Sequence, residues 1–144
     1  MKYEIVPFKK EHLENLTIRE IEENALKAFT ESVQEKICEP AFTGLCDGKV
    51  IAIGGVIILW DGVGEGWIYG TTKIEKHKLF FMRGVLKKLK EIEKKYNLHR
   101  VQATVVFGVK GLIKFVEFLG FEFEGRLRGY GVSKEDYLIF GRNP

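Results

Sequence analysis

The sequence has no apolar run of about eighteen residues, the length a membrane-spanning helix needs. Its first residues, Met1-Lys2-Tyr3-Glu4, carry no apolar leader core and pass straight into a strand pattern. Cysteine is scarce. Cys38 and Cys46 lie eight apart with no C-x-x-C pattern, so the expectation is two reduced, buried thiols of a cytoplasmic protein. His12, His77 and His99 show no metal-ligand spacing, and no metal is expected. There is no G-x-S-x-G, no complete nucleophile triad and no Walker sequence. Gly62, Gly64 and Gly66 lie in a hairpin turn rather than between a strand and a helix, a poor setting for a nucleotide. Neither sign of charge dominates: 23 basic side chains face 20 acidic ones, for a net charge of +3. That balance gives nucleic-acid binding little support. Gln and Asn are few beside Lys and Glu, a bias that fits a thermophilic source.

What the chain does contain is a regular alternation of strand and helix patterns. Its 144 residues suit one domain spanning 1–144, large enough to bury about 70% of its unfolded surface. The last third organises the rest. Over 99–107, Val101, Ala103, Val105 and Phe107 alternate with Gln102, Thr104 and Val106, the period of a strand covered on both sides. Over 109–119, Leu112, Ile113, Phe115, Val116 and Leu119 form one apolar helical stripe. Gly120 follows, where a left-handed C-cap is expected, and Phe121 begins a further strand.

Upstream, Tyr3 and Ile5 mark a first strand ended near Pro7, and helical spacing covers 10–29, with a short helix over 30–37. Residues 42–71 read as an antiparallel meander. Asp47-Gly48 supplies its first hairpin turn and residues 61–64 its second. Gly54-Gly55, in the middle of the long strand, predicts a bulge or a close backbone approach. The longest helix is predicted over 73–96, with Leu79, Met82, Leu86, Leu89, Ile92 and Tyr96 on one face and a solvated lysine-rich face opposite. Residues 126–131 read as a loop and 136–140 as the last strand. A strand–helix–strand crossover inside an otherwise antiparallel sheet makes the fold class mixed α/β (α+β), with helices on both faces.

The element order, together with residues 111–125 and their Leu119-Gly120-Phe121 ending, resembles the GNAT acyltransferase superfamily over nearly the whole chain. Residues 67–81 are also similar to GNAT-like proteins of bacteriophages. The resemblance implies acetyl-CoA or another acyl-CoA as co-substrate and a small-molecule or peptide amine as acceptor, and it allows a homodimer. It implies that two strands, one ending at Thr71 and one near Phe107, splay apart to take the pantetheine arm. The diphosphate would then sit at the start of the long helix. On that basis the candidate cofactor-binding residues are Tyr69, Gly70, Thr71, Thr72, Lys76, His77, Lys78 and Phe107, with Thr72 as the helix cap and Lys73 as further charge.

The departures from that pattern are specific. No glycine lies between Gly70 and Gly84, where the family has a glycine-bearing phosphate loop. The family's tyrosine, which protonates the departing thiolate, aligns with Val116, and its asparagine falls near Val109. Two residues remain for proton transfer. Glu65, beside Trp67, could deprotonate an amine, and Tyr130, within Gly129-Tyr130-Gly131, could protonate a thiolate. Arg126 and Arg128 could hold an anionic substrate. The rival expectation is a catalytically silent GNAT-fold binding or structural protein.

Overall fold

A computed structural model describes residues 1–15 and 40–144. Of the helical spacing predicted over 10–29 only the first six residues are described, and they wind as a 3-10 turn; the rest of it, the short helix over 30–37 and Cys38 lie outside the described residues. In chain order the elements are β1 (Tyr3–Pro7), a 3-10 turn (Lys10–Asn15), β2 (Ala41–Cys46), β3 (Lys49–Trp60) and β4 (Val63–Gly70). A 3-10 segment (Thr72–His77), α1 (Lys78–Lys95), β5 (Arg100–Val106), α2 (Lys110–Phe118), β6 (Glu122–Leu127) and β7 (Tyr137–Arg142) follow. The seven described strands form one mixed sheet in the order β1-β2-β3-β4-β5-β7-β6. Every neighbouring pair is antiparallel except β4 and β5.

Local chemistry explains most boundaries. Asp47 and Gly48 both adopt positive φ (49° and 78°), which a two-residue hairpin turn requires. Gly54 and Gly55 sit in unbroken register with both neighbouring strands, so the predicted irregularity there is a close approach and not a bulge. A Cβ on Gly55 would stand 2.3 Å from the Pro40 carbonyl oxygen. The register shifts fall instead at Gly44/Leu45, Ile58/Trp60 and Phe123/Gly125. Gly120 has φ 87° and ends α2 as predicted.

The two described α-helices pack on one face of the sheet. Phe81 of α1 stacks on Phe115 of α2, with ring centroids 5.0 Å apart. Leu89, Ile92, Val116 and Leu119 join Val56, Val101, Val105 and Phe140 of the sheet in the main core. A buried ion pair ties this core together: Arg142 Nε donates to Glu93 Oε2 at 2.7 Å, and Arg142 Nη1 donates to the Leu119 carbonyl at 2.7 Å.

Four sequence expectations are corrected. The long helix does not start at 73, because residues 72–77 wind as a 3-10 segment. A threefold period puts Ile74 and His77 on one half-buried side and leaves Lys73, Glu75 and Lys76 exposed. Thr71, not Thr72, is the cap: its hydroxyl accepts from the Lys73 N–H at 3.2 Å and donates to the Ile51 carbonyl at 2.9 Å. Leu79 lies off the buried stripe, 63% exposed. Finally, Arg126 and Leu127 belong to β6, so the loop they were expected to open starts after Leu127.

Candidate active site at a strand fork

The parallel contact between β4 and β5 is short. It pairs Val63 with Arg100, Gly64 with Val101 and Glu65 with Gln102, and then stops. Beyond that rung β4 runs on to Gly70 along β3, while β5 runs on to Val106 along β7. The two strands therefore part, and no ladder joins 66–70 to 103–106. A cavity of about 450 Å³ occupies the fork. Residues from both sheet faces line it, so it passes between the strands. Phe80, Phe81 and Phe115 line it on the helix face, and Glu65, Trp67, Tyr69, Thr104 and Tyr130 line it on the opposite face. Side chains leave the fork open; neither Trp67 nor Phe107 fills it.

Glu65 lies inside β4 and not in the preceding turn. The carboxylate is half-buried at the apex of the fork, where Gln102 Nε2 donates to its Oε1 at 3.0 Å. Gln102 Oε1 in turn accepts from Arg100 Nη2 at 3.4 Å, and Arg100 holds Glu124 in a bidentate pair at 2.7 and 2.9 Å. The Glu65 carboxylate thus has a fixed donor on one oxygen.

Tyr130 reaches the same cavity from the β6–β7 loop. Asp136 builds that loop: its Oδ1 accepts from the Gly129 N–H at 2.9 Å and its Oδ2 from Arg126 Nε at 2.8 Å. Those two donors hold the Asp136 carboxyl below the usual aspartate range. Burial raises the Tyr130 hydroxyl above its ordinary pKa, the nearby Glu65 carboxylate adds to the rise, and a hydrogen bond with the Thr104 side chain offsets part of it. The structure therefore brings Glu65 and Tyr130 to one cavity, though they are far apart in sequence.

The other predicted residues divide. Tyr69 lines the fork. Gly70 ends β4 and leaves room for Ile74, and Thr71, the next residue, is buried with its hydroxyl already paired. Thr72, Lys76 and Lys78 are exposed around the start of α1. His77 Nδ1 is engaged by the Tyr3 hydroxyl at 2.9 Å. Phe107 stands away from the fork, half-exposed under the Arg126 guanidinium, which sits 4.2 Å from its ring centre. Arg126 is itself held by Asp136 and so is not free for an anionic substrate. Val116 lines the cavity from α2 but has no proton to give. Sequence reasoning passed over Gln102 and Thr104. Both alternate with the buried Val101 and Val105, and polar residues on the second face of a covered strand are the signal that could have found them.

The residues fit a thioester cofactor unevenly. The unzipped stretch 66–70 fits an extended arm carrying amides. The diphosphate end is weaker. The Lys73 N–H is bound to the Thr71 hydroxyl and the Ile74 N–H to the Thr71 carbonyl, so lysine charge rather than free amides is on offer there.

No family model and no curated protein matches the chain by sequence. Solved structures do match it. Ard1 from Thermoplasma volcanium aligns over 98% of this chain and 97% of its own with a TM-score of 0.78 at 14% identity. The ribosomal-protein-S18-alanine N-acetyltransferase from Escherichia coli aligns over 99% and 94%, with a TM-score of 0.73 at 19% identity. A GNAT-family acetyltransferase from Bacillus anthracis aligns over 99% and 95%, with a TM-score of 0.73 at 16% identity. The fold is that of the GNAT N-acetyltransferases.

Proposed function

We propose that this protein is an N-acyltransferase that moves an acyl group, acetyl in the simplest case, from acyl-CoA to a primary amine by direct attack. The observation that carries the reading is the fork, whose last rung is Glu65–Gln102 and whose cavity receives both Glu65 and Tyr130. The solved neighbours support it, the Bacillus anthracis protein being a GNAT-family acetyltransferase and the Escherichia coli protein an N-acetyltransferase.

Acetyl-CoA supplies an activated acyl thioester. The stretch 66–70, where β4 no longer pairs with β5, would hold the arm and polarise the carbonyl, and Lys73, Lys76 and Lys78 offer charge to the diphosphate. Glu65 takes a proton from the incoming ammonium, freeing the nitrogen lone pair to form the new N–C bond. Tyr130 gives its proton to sulfur as the C–S bond breaks, its raised pKa keeping that proton in place until then, and the second proton of the attacking nitrogen, shed as the amide forms, returns Tyr130 to its protonated state through solvent. Close positioning carries much of the rate.

A second reading keeps the fold without the reaction. The 3-10 segment that closes the phosphate end of the site favours it. Calorimetry separates the two. Heat and a thermal shift on adding CoA or acetyl-CoA support the transferase. No response at millimolar ligand leaves a binding or structural protein.

A further inference from the structure

The geometry points to an acceptor whose ammonium sits on an apolar, uncharged skeleton, held by an aromatic mouth with one carboxylate at its base. The inference deepens the acyltransferase reading and depends on it for its use, but its evidence is separate. On the sheet face away from α1 and α2, Glu65, Trp67 and Tyr69 alternate along β4 and so point the same way. The Trp67 and Tyr69 rings lie 6.0 Å apart. Across the cavity stand Tyr130 and Tyr137, edge to face at 5.2 Å, with Val132 beside them. Tyr130 and Val132 are 54% and 61% exposed, apolar surface turned to an incoming molecule. Among the described lining residues Glu65 is the only acid, and the only base, Lys88, lies on the helix face with its ammonium 4.6 Å from the Phe42 ring centre.

This arrangement suits one positive charge. Ring faces attract a cation within about 6 Å, and a half-buried carboxylate pairs with it more strongly than an exposed one would. The rest of the acceptor meets the apolar surface of Trp67, the Tyr130 ring and Val132, and among the described lining residues no second acid is present to pair with a further charge. A polyamine or a sugar amine is therefore disfavoured against an arylalkyl or alkyl amine.

Binding can be read without acetyl-CoA by following the Trp67 indole resonance of the whole protein. 2-Phenylethylammonium is expected to bind at least about tenfold tighter than ethanolammonium, which has the same charge on a polar body. Glu65→Gln should weaken 2-phenylethylammonium about tenfold and leave 2-phenylethanol unchanged. Trp67→Ala should remove the preference, and Trp67→Phe should keep most of it, which separates a lost ring from a damaged fold. A tripeptide beginning with phenylalanine tells a peptide amino terminus from a free amine as the source of this chemistry, and either one binding in preference to ethanolammonium supports it. Ethanolammonium or spermidine binding as tightly as 2-phenylethylammonium, or no movement of the Trp67 signal, overturns the inference. The calorimetry with CoA is untouched by that result and fails only with the reading beneath it.

Discussion

Glu65 and Gln102 are register partners on the last rung of the β4–β5 ladder, and the Gln102 amide donates a 3.0 Å hydrogen bond to Glu65 Oε1. The place where the sheet unzips is thus also where the one carboxylate among the described lining residues is oriented. Gln102→Leu removes the donor but keeps the strand. We expect kcat to fall by about 10- to 100-fold while KM for acetyl-CoA stays constant, because a hydrogen bond to a charged group is worth about 1.5–3 kcal/mol. Gln102→Glu should fall further, since it faces one carboxylate with another. Steady-state kinetics on both variants check this, and equal KM increases in both would place Gln102 in cofactor binding instead.

The Glu93–Arg142 pair makes a prediction about stability. Glu93 is 6% exposed, and the guanidinium that meets it also closes the C-terminal end of α2 through the Leu119 carbonyl. Removing one partner leaves the other charged and buried. Glu93→Ala or Arg142→Met is expected to cost about 3–5 kcal/mol in urea unfolding. The double replacement Glu93→Leu with Arg142→Met should recover much of the loss, because the apolar pair strands no charge.

His12 predicts an acid-sensitive contact. Its Nδ1 accepts from the Lys9 N–H at 3.0 Å and bonds the buried Thr43 hydroxyl at 2.7 Å. Burial, and then the Lys9 charge, lower its pKa from the ordinary 6.5. A depressed folded pKa means that the contribution is present above the ordinary value and is lost as pH falls through the folded one. NMR titration should find the His12 midpoint below 6.5, with the Lys9 amide shifting in step. Thr43→Val removes a partner of the neutral ring and should move that midpoint upward.

Much of the fold was legible because each element is set by local rules. Asp47-Gly48 demands its turn, and the stripe from Leu112 to Leu119 demands its helix, with Gly120 to stop it. The 3-10 segment was not legible, because its period-three burial depends on Ile74 packing against Gly70 and His77 meeting Tyr3, contacts remote in sequence or invisible to a helical wheel. The site was legible in part for the same reason. Glu65 and Tyr130 could be named as residues able to carry protons, but their meeting depends on how Asp136 folds the loop after β6. The Arg126 guanidinium over the Phe107 ring is a long-range contact of the same kind.

The last prediction concerns Tyr130 and alkaline pH. Its hydroxyl is held above the ordinary value of 10.0, first by burial and then by the Glu65 charge. A raised folded pKa means that the protonated form is favoured by folding. Its contribution is complete below the ordinary tyrosine value and lost as pH rises through the folded one. The proton that would go to sulfur is thus available beyond the range in which an ordinary tyrosine ionises. Tyr130→Phe should lower kcat by about 100-fold, the lower end of what a lost general acid costs, with CoA binding unchanged by calorimetry. In the unaltered protein the alkaline limb of kcat should lie above pH 10.0. Glu65→Gln removes the neighbouring charge that supports the shift, so the tyrosine absorbance titration of that variant should move to lower pH. If the titration does not move, the two groups are not coupled through the cavity, and the proton donor must be sought in solvent.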